Sequence, residues 1–230
     1  MKDFQENIVP ALGQNSANVF LYNNEKSKIK ILFVGNSIAK HAPKPSIGWD
    51  RDCGMAASSA DCDFVHLIVK KIMEKYDENV SYGIAQAAQY ERGFFDKTPD
   101  EDYGEAREFS ADIILMFFGA NVSRDYDSME NPKKTFTEAY EDMRRYLSRE
   151  GEARVFHSMG FYIRERLDEE KRAVAEKYGE TFIDISDIRN REDAHGMFNH
   201  PGDLGMQLLA DRFFEHMEAD IAEICRKGQE

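Results

Sequence analysis

The stretch Ile29–Val34 constrains this chain most. Ile29, Ile31, Leu32, Phe33 and Val34 form a short, nearly unbroken apolar run, the pattern of a strand buried on both faces of a parallel sheet. Ala111–Phe118 repeats it with ADIILMFF. Further strands are expected at Val80–Ala88, Arg154–Met159 and Thr181–Ile185, with a short edge strand at Val19–Tyr22. Between them lie helical periodicities: Phe64, Val65, Ile68, Val69, Ile72 and Met73 within Asp61–Tyr76, then Phe136, Ala139, Tyr140, Met143 and Leu147 after Pro132. Arg164–Tyr178 and a last helix from about Asp203 to Arg226 follow, the latter with Asp203 as N-cap and Leu204, Leu208, Leu209, Phe213, Met217, Ile221 and Ile224 facing inward. Alternating strands and helices predict an α/β fold with a parallel sheet and helices on both faces. Residues 1–27 read as an extension packed on the core, and 28–230 as a single domain.

A formal net charge of -13 opposes binding to nucleic acid or an anionic membrane, and no basic run offers a local exception. Cys53, Cys62 and Cys225 give neither a disulfide framework nor a zinc spacing. The histidines show no metal-ligand spacing, and no cofactor is implied. The first residues lack the apolar core of a signal peptide, so a cytoplasmic setting is expected.

In open α/β sheets, ligands bind outside the carboxyl ends of the strands. Three stretches reach that edge: Gly35-Asn36-Ser37, Gly119-Ala120-Asn121, and Asn199-His200-Pro201-Gly202-Asp203 before the last helix. Together they offer a hydroxyl, a side-chain amide and an imidazole, the groups that acyl transfer needs as nucleophile, oxyanion donor and base. Each also has an ordinary reading: Ser37 as a helix cap, Asn121 as a turn residue, His200 as a loop histidine. The long loop His41–Ser58 has two prolines and the only Trp, and its length suggests a cover over the site. Glu91-Arg92 reads either as a substrate contact or as a plain surface pair, with the pair slightly favoured, 96–108 as a solvated acidic loop, and Ile188–Gly196 as polar loop.

The three blocks, in this order, resemble those of the SGNH hydrolases, also called GDSL esterases, over about residues 28–226. The resemblance implies a three-layer α/β/α sandwich of flavodoxin type with a five-stranded parallel sheet. It implies a serine esterase for small acyl esters, such as O-acetylated carbohydrates, with Ser37 as nucleophile and His200 as base. The Ser37 N–H and the Asn121 amide would serve the oxyanion. His41, Trp49 and Met55 are candidates for the pocket wall, with core packing the more frequent reason for a Trp or Met and a surface place equally open to His41. Asn36 and Val122 stand where the family has Asp. The family's catalytic acid lies three residues before the histidine, where this chain has Met197. Another group must then orient the imidazole: Asp193, Glu192 or a main-chain carbonyl of the same loop, a Ser-His dyad being the simplest alternative. In place of the family's oxyanion glycine after the second strand this chain offers Ala85, Ala87 and Ala88, where a backbone N–H could still donate. Loss of the acid also motivates a non-catalytic binding protein on the same fold. A metal-dependent hydrolase using His41 and His200 is a third reading.

Overall fold

The computed structural model describes residues 18–227. The expected extension at 1–27 therefore lies mostly outside the described residues. Its described part holds strand β1 (Val19–Tyr22), which pairs antiparallel with β3 (Val80–Gln86) and adds a sixth strand to the sheet. The other five, β2 (Ile29–Gly35), β3, β4 (Ile113–Met116), β5 (Arg154–Ser158) and β6 (Thr181–Ile183), are all parallel. The sheet order is β1-β3-β2-β4-β5-β6.

Alternation along β2 divides the core into two layers. Ile29, Ile31 and Phe33 face α1 (Phe64–Tyr76) and α7 (Asp203–Lys227), among Phe64, Ile68, Leu209 and Phe213. Leu32 and Val34 face the opposite layer. That layer holds α2 (Ala88–Gly93), α3 (Gly104–Glu108), α4 (Phe136–Leu147) and α5 (Glu165–Tyr178), through Tyr90, Ala106, Phe136, Tyr140 and Leu167. Every residue of β2 except Lys30 is buried, which is why the run is apolar rather than alternating.

Four local readings are corrected. Residues 96–108 are not merely a solvated loop: α3 forms there, and Tyr103 and Ala106 are buried. The stretch after β6 carries α6 (Ser186–Arg189), with Ile188 and Ala194 in the core. Leu204 lies outward, 41% exposed. Asp203 is the first residue of α7 rather than its cap, and its Oδ1 accepts from Ser58 N–H at 2.7 Å.

The sheet order places a topological switch at β2. The chain passes from β2 to β3 on one side, then returns across β2 to β4 on the other. The loops leaving β2, β3 and β4 therefore diverge at the carboxyl edge and leave a crevice between them.

Candidate active site

Ser37 is the second residue beyond β2. Gly35 permits the sharp exit: a Cβ there would lie 2.6 Å from Ala39 Cβ. The Asn36 carbonyl accepts from Ala39 and Lys40 N–H at 2.9 and 3.0 Å and closes the turn. Ser37 is left half-buried on a cleft of about 600 Å³, a size suited to a small ligand. Its main-chain N–H has no acceptor among the described residues.

His200 reaches the same cleft from the loop before α7, with Nε2 2.8 Å from Ser37 Oγ. Its other nitrogen, Nδ1, lies 3.0 Å from the Phe198 carbonyl oxygen and 2.9 Å from Tyr162 Oη. A carbonyl only accepts, so it favours the tautomer with the proton on Nδ1, which leaves Nε2 free to accept from Ser37. Burial holds the His200 pKa below the ordinary imidazole value; the Phe198 carbonyl pulls it up, and His41 pushes it further down.

Neither candidate acid reaches the imidazole. Asp193 is exposed and forks with Arg191 at 2.9 and 2.7 Å, and Glu192 is exposed on the same turn. The short 3₁₀ turn Glu192–Ala194 directs both carboxylates outward while burying Ala194. Met197, at the acid's expected place, is also solvent-facing at 44% exposure.

The Phe198 carbonyl is aimed by backbone that few residues adopt. Phe198 and Asn199 both have positive φ, 58° and 59°, a conformation uncommon outside glycine and an outlier for an aromatic residue. Surrounding hydrogen bonds hold it. Gly196 N–H donates to the His200 carbonyl at 2.6 Å, and Gly202 N–H to the Ala194 carbonyl at 2.9 Å. His195 bridges Asn199 Oδ1 at 2.7 Å and the Arg189 carbonyl at 2.9 Å. The stretch 194–196, flexible in composition, is thus pinned.

Asn121 follows β4 through Gly119, whose φ of +123° requires glycine. Its amide is clamped on both sides. Arg92 Nη2 donates to Oδ1 at 2.8 Å, and Nδ2 donates to Glu91 Oε2 at 2.6 Å. This leaves one amide hydrogen for the cleft, which Asn121 lines.

Glu91 corrects the surface-pair reading. It is fully buried and accepts from Asn36 Nδ2, Gly119 N–H, and both the main-chain N–H and Nδ2 of Asn121. One carboxylate therefore ties the loop after β2 to the loop after β4. Asn36 suits this arrangement because its amide donates to Glu91, whereas an aspartate there would face a second carboxylate. Arg92 is exposed and bonds Asn121 rather than Glu91.

The loop His41–Ser58 lies on the site edge. His41 and Met55 line the cleft, and Met55 N–H donates to the Ser37 carbonyl at 2.8 Å. Trp49 does not line it: the indole is fully buried in the core, donating to the His41 carbonyl at 3.1 Å. After β3, Ala87 N–H is taken by the Gly35 carbonyl at 2.6 Å and Ala88 N–H by Gln86 Oε1 at 2.8 Å.

Tyr162 was not singled out by its sequence context. It lies beyond β5 on the same carboxyl edge, so the strand-end rule that located Ser37 and Asn121 also points to it. Among the described residues, no group of three or more His, Cys, Asp or Glu side chains is placed to hold a metal ion, and no helix is long and apolar enough to cross a membrane.

No family model matches the sequence, and no curated protein matches it. Solved structures do. A GDSL-like lipase from Bacteroides uniformis is similar at TM-score 0.53 and 13% identity, over 83% of this chain and 96% of its own. A family two carbohydrate esterase from Clostridium thermocellum, in complex with cellohexaose, gives TM-score 0.55 at 14% identity, over 88% of this chain and 67% of its own. The family two carbohydrate esterase from Cellvibrio japonicus gives 0.54 at 15%, over 88% and 64%. With its sheet order and helical layers, the chain has the SGNH-hydrolase fold.

Proposed function

We propose that this protein is a serine esterase acting on small acyl esters, with O-acetylated carbohydrates the favoured class. The observation that carries the reading is the 2.8 Å contact between Ser37 Oγ and His200 Nε2 in an open cleft. His200 Nε2 accepts the Ser37 proton as Oγ attacks the acyl carbon. The developing oxyanion takes the Ser37 N–H and the remaining Asn121 amide hydrogen. The imidazolium then returns its proton to the leaving alcohol, and a water activated by the neutral imidazole releases the acid. Ser37 and His200 act as a dyad, with the Phe198 carbonyl and Tyr162 Oη accepting from the Nδ1 proton. The carbohydrate preference rests on the likeness to family two carbohydrate esterases.

Ser37→Ala should lower p-nitrophenyl acetate turnover at least about a thousandfold, with an unchanged circular dichroism spectrum, and abolish stoichiometric labelling by a fluorophosphonate. A variant that keeps most of its turnover removes Ser37 from the mechanism. Among the described residues no carboxylate reaches His200, which favours a second reading, a non-catalytic binding protein on this fold. One similar structure, a carbohydrate esterase, is described as displaying divergent catalytic and non-catalytic binding functions in its active site. Wild-type protein that neither labels nor turns over ester would decide for it.

A further inference from the structure

The chain has 43 acidic residues against 30 Lys and Arg, yet the cleft reverses that balance. Among the described residues that line it, Lys40 and Arg92 are cationic and none is Asp or Glu. The two cations differ. Lys40 is buried and paired with Asp52 at 2.7 Å. Arg92 is exposed and forms no ion pair among the described residues; its guanidinium rests on two neutral acceptors, Asn121 Oδ1 at 2.8 Å and the Ala88 carbonyl at 3.4 Å. Glu91, next in sequence, is turned beneath the floor, its oxygens occupied by Asn36, Gly119 and Asn121. A guanidinium held in a cleft without a carboxylate partner has the geometry to receive an anion, since its planar fork matches carboxylate and phosphate oxygens. The contact with Asn121 places it beside the proposed oxyanion donor.

We infer that the ester this cleft takes carries an anionic group, a carboxylate or a phosphate, which Arg92 receives while the ester carbonyl lies at Ser37 and Asn121. The inference rests on the esterase reading for its chemistry but not for its binding. A neutral acetylated hexose would leave the fork unused; an acetylated uronic acid or sugar phosphate would fill it.

The test measures acetate release from O-acetylated glucose, glucuronic acid and glucose 6-phosphate by the wild type, Arg92→Gln and Arg92→Lys. The wild type should favour one or both anionic esters by at least about tenfold in kcat/KM, the scale of a charge-assisted hydrogen bond. High salt should reduce that preference. Arg92→Gln should collapse the ratio to near one, and Arg92→Lys should retain part of it. The glucuronate and phosphate arms distinguish the two anions. Equal rates on all three esters in the wild type overturn the inference. So does a loss in Arg92→Gln that is the same on all three, which would mean that Arg92 only positions Asn121. If the wild type releases no acetate from any ester, the esterase reading falls and calorimetry decides the inference. Binding of glucuronate or glucose 6-phosphate that Arg92→Gln abolishes upholds it, and no binding of either overturns it.

Discussion

The Phe198 carbonyl oxygen lies 3.0 Å from His200 Nδ1, on the side of the imidazole where a triad would present a carboxylate. A neutral carbonyl fixes the tautomer but stabilises the imidazolium less than an anion does. The two upstream carboxylates are directed into solvent, so the orientation of the base rests on a main-chain carbonyl and the Tyr162 hydroxyl.

Glu192→Gln and Asp193→Asn should each retain kcat/KM within about twofold of wild type, because exposed charges away from the imidazole change little. A loss of about a hundredfold or more in either, an intermediate loss on the scale of a missing triad acid, would show that the loop rearranges to deliver that carboxylate.

Tyr162 is the other partner of Nδ1, at 2.9 Å. When His200 takes the Ser37 proton, the phenol oxygen accepts from the charged ring alongside Phe198. Tyr162→Phe should lower kcat about tenfold, the loss of one hydrogen bond to a charged group, and shift the acid limb of the kcat profile to lower pH. An unchanged rate and profile would assign Tyr162 to packing alone.

The base must be neutral to act. Burial, followed by the charge of His41, holds His200 below the usual imidazole pKa, against the pull of the Phe198 carbonyl. Activity should therefore persist to more acidic pH than an unperturbed histidine, at about 6.5, would allow. His41→Gln removes one lowering influence, so its acid limb should move upward in pH. A downward movement contradicts this sign.

Glu91 accepts four N–H bonds out of water. In Glu91→Gln an NH₂ group replaces one oxygen and faces donors. Leaving such groups unpaired costs about 1–3 kcal/mol each, so a fall in Tm of roughly 5–10 °C is expected for a chain this long. Turnover should fall too, since the Asn121 amide loses its anchor. A calorimetric Tm equal to wild type would remove Glu91 as the tie between the two loops.

The strand-and-helix plan was legible because each parallel strand had to bury both faces. The runs at Ile29–Val34 and Ala111–Phe118 admit few other placements, and Ser37 and Asn121 were legible as strand ends. What escaped notice depended on contacts between distant segments. Nothing in Glu91-Arg92 distinguishes a surface pair from a buried acid beneath an exposed base; the difference arises only when Asn36, Gly119 and Asn121 converge on Glu91. The support of His200 was hidden for another reason. A main-chain carbonyl has no residue signature, and the left-handed Phe198 that aims it occupies a position where propensity would favour glycine. Trp49 could be read as a cleft wall or, more commonly for an aromatic residue, as core packing that anchors its loop, and the structure takes the second course.

That anchor gives the molecule an optical reporter. Trp49 is the only tryptophan of the chain, fully shielded from solvent, with its indole N–H on the carbonyl of His41, a residue of the cleft wall. Its native emission should therefore be blue-shifted. Any ligand that lifts the loop from the sheet edge will move that emission to the red, and occupancy of the cleft can be followed without a label.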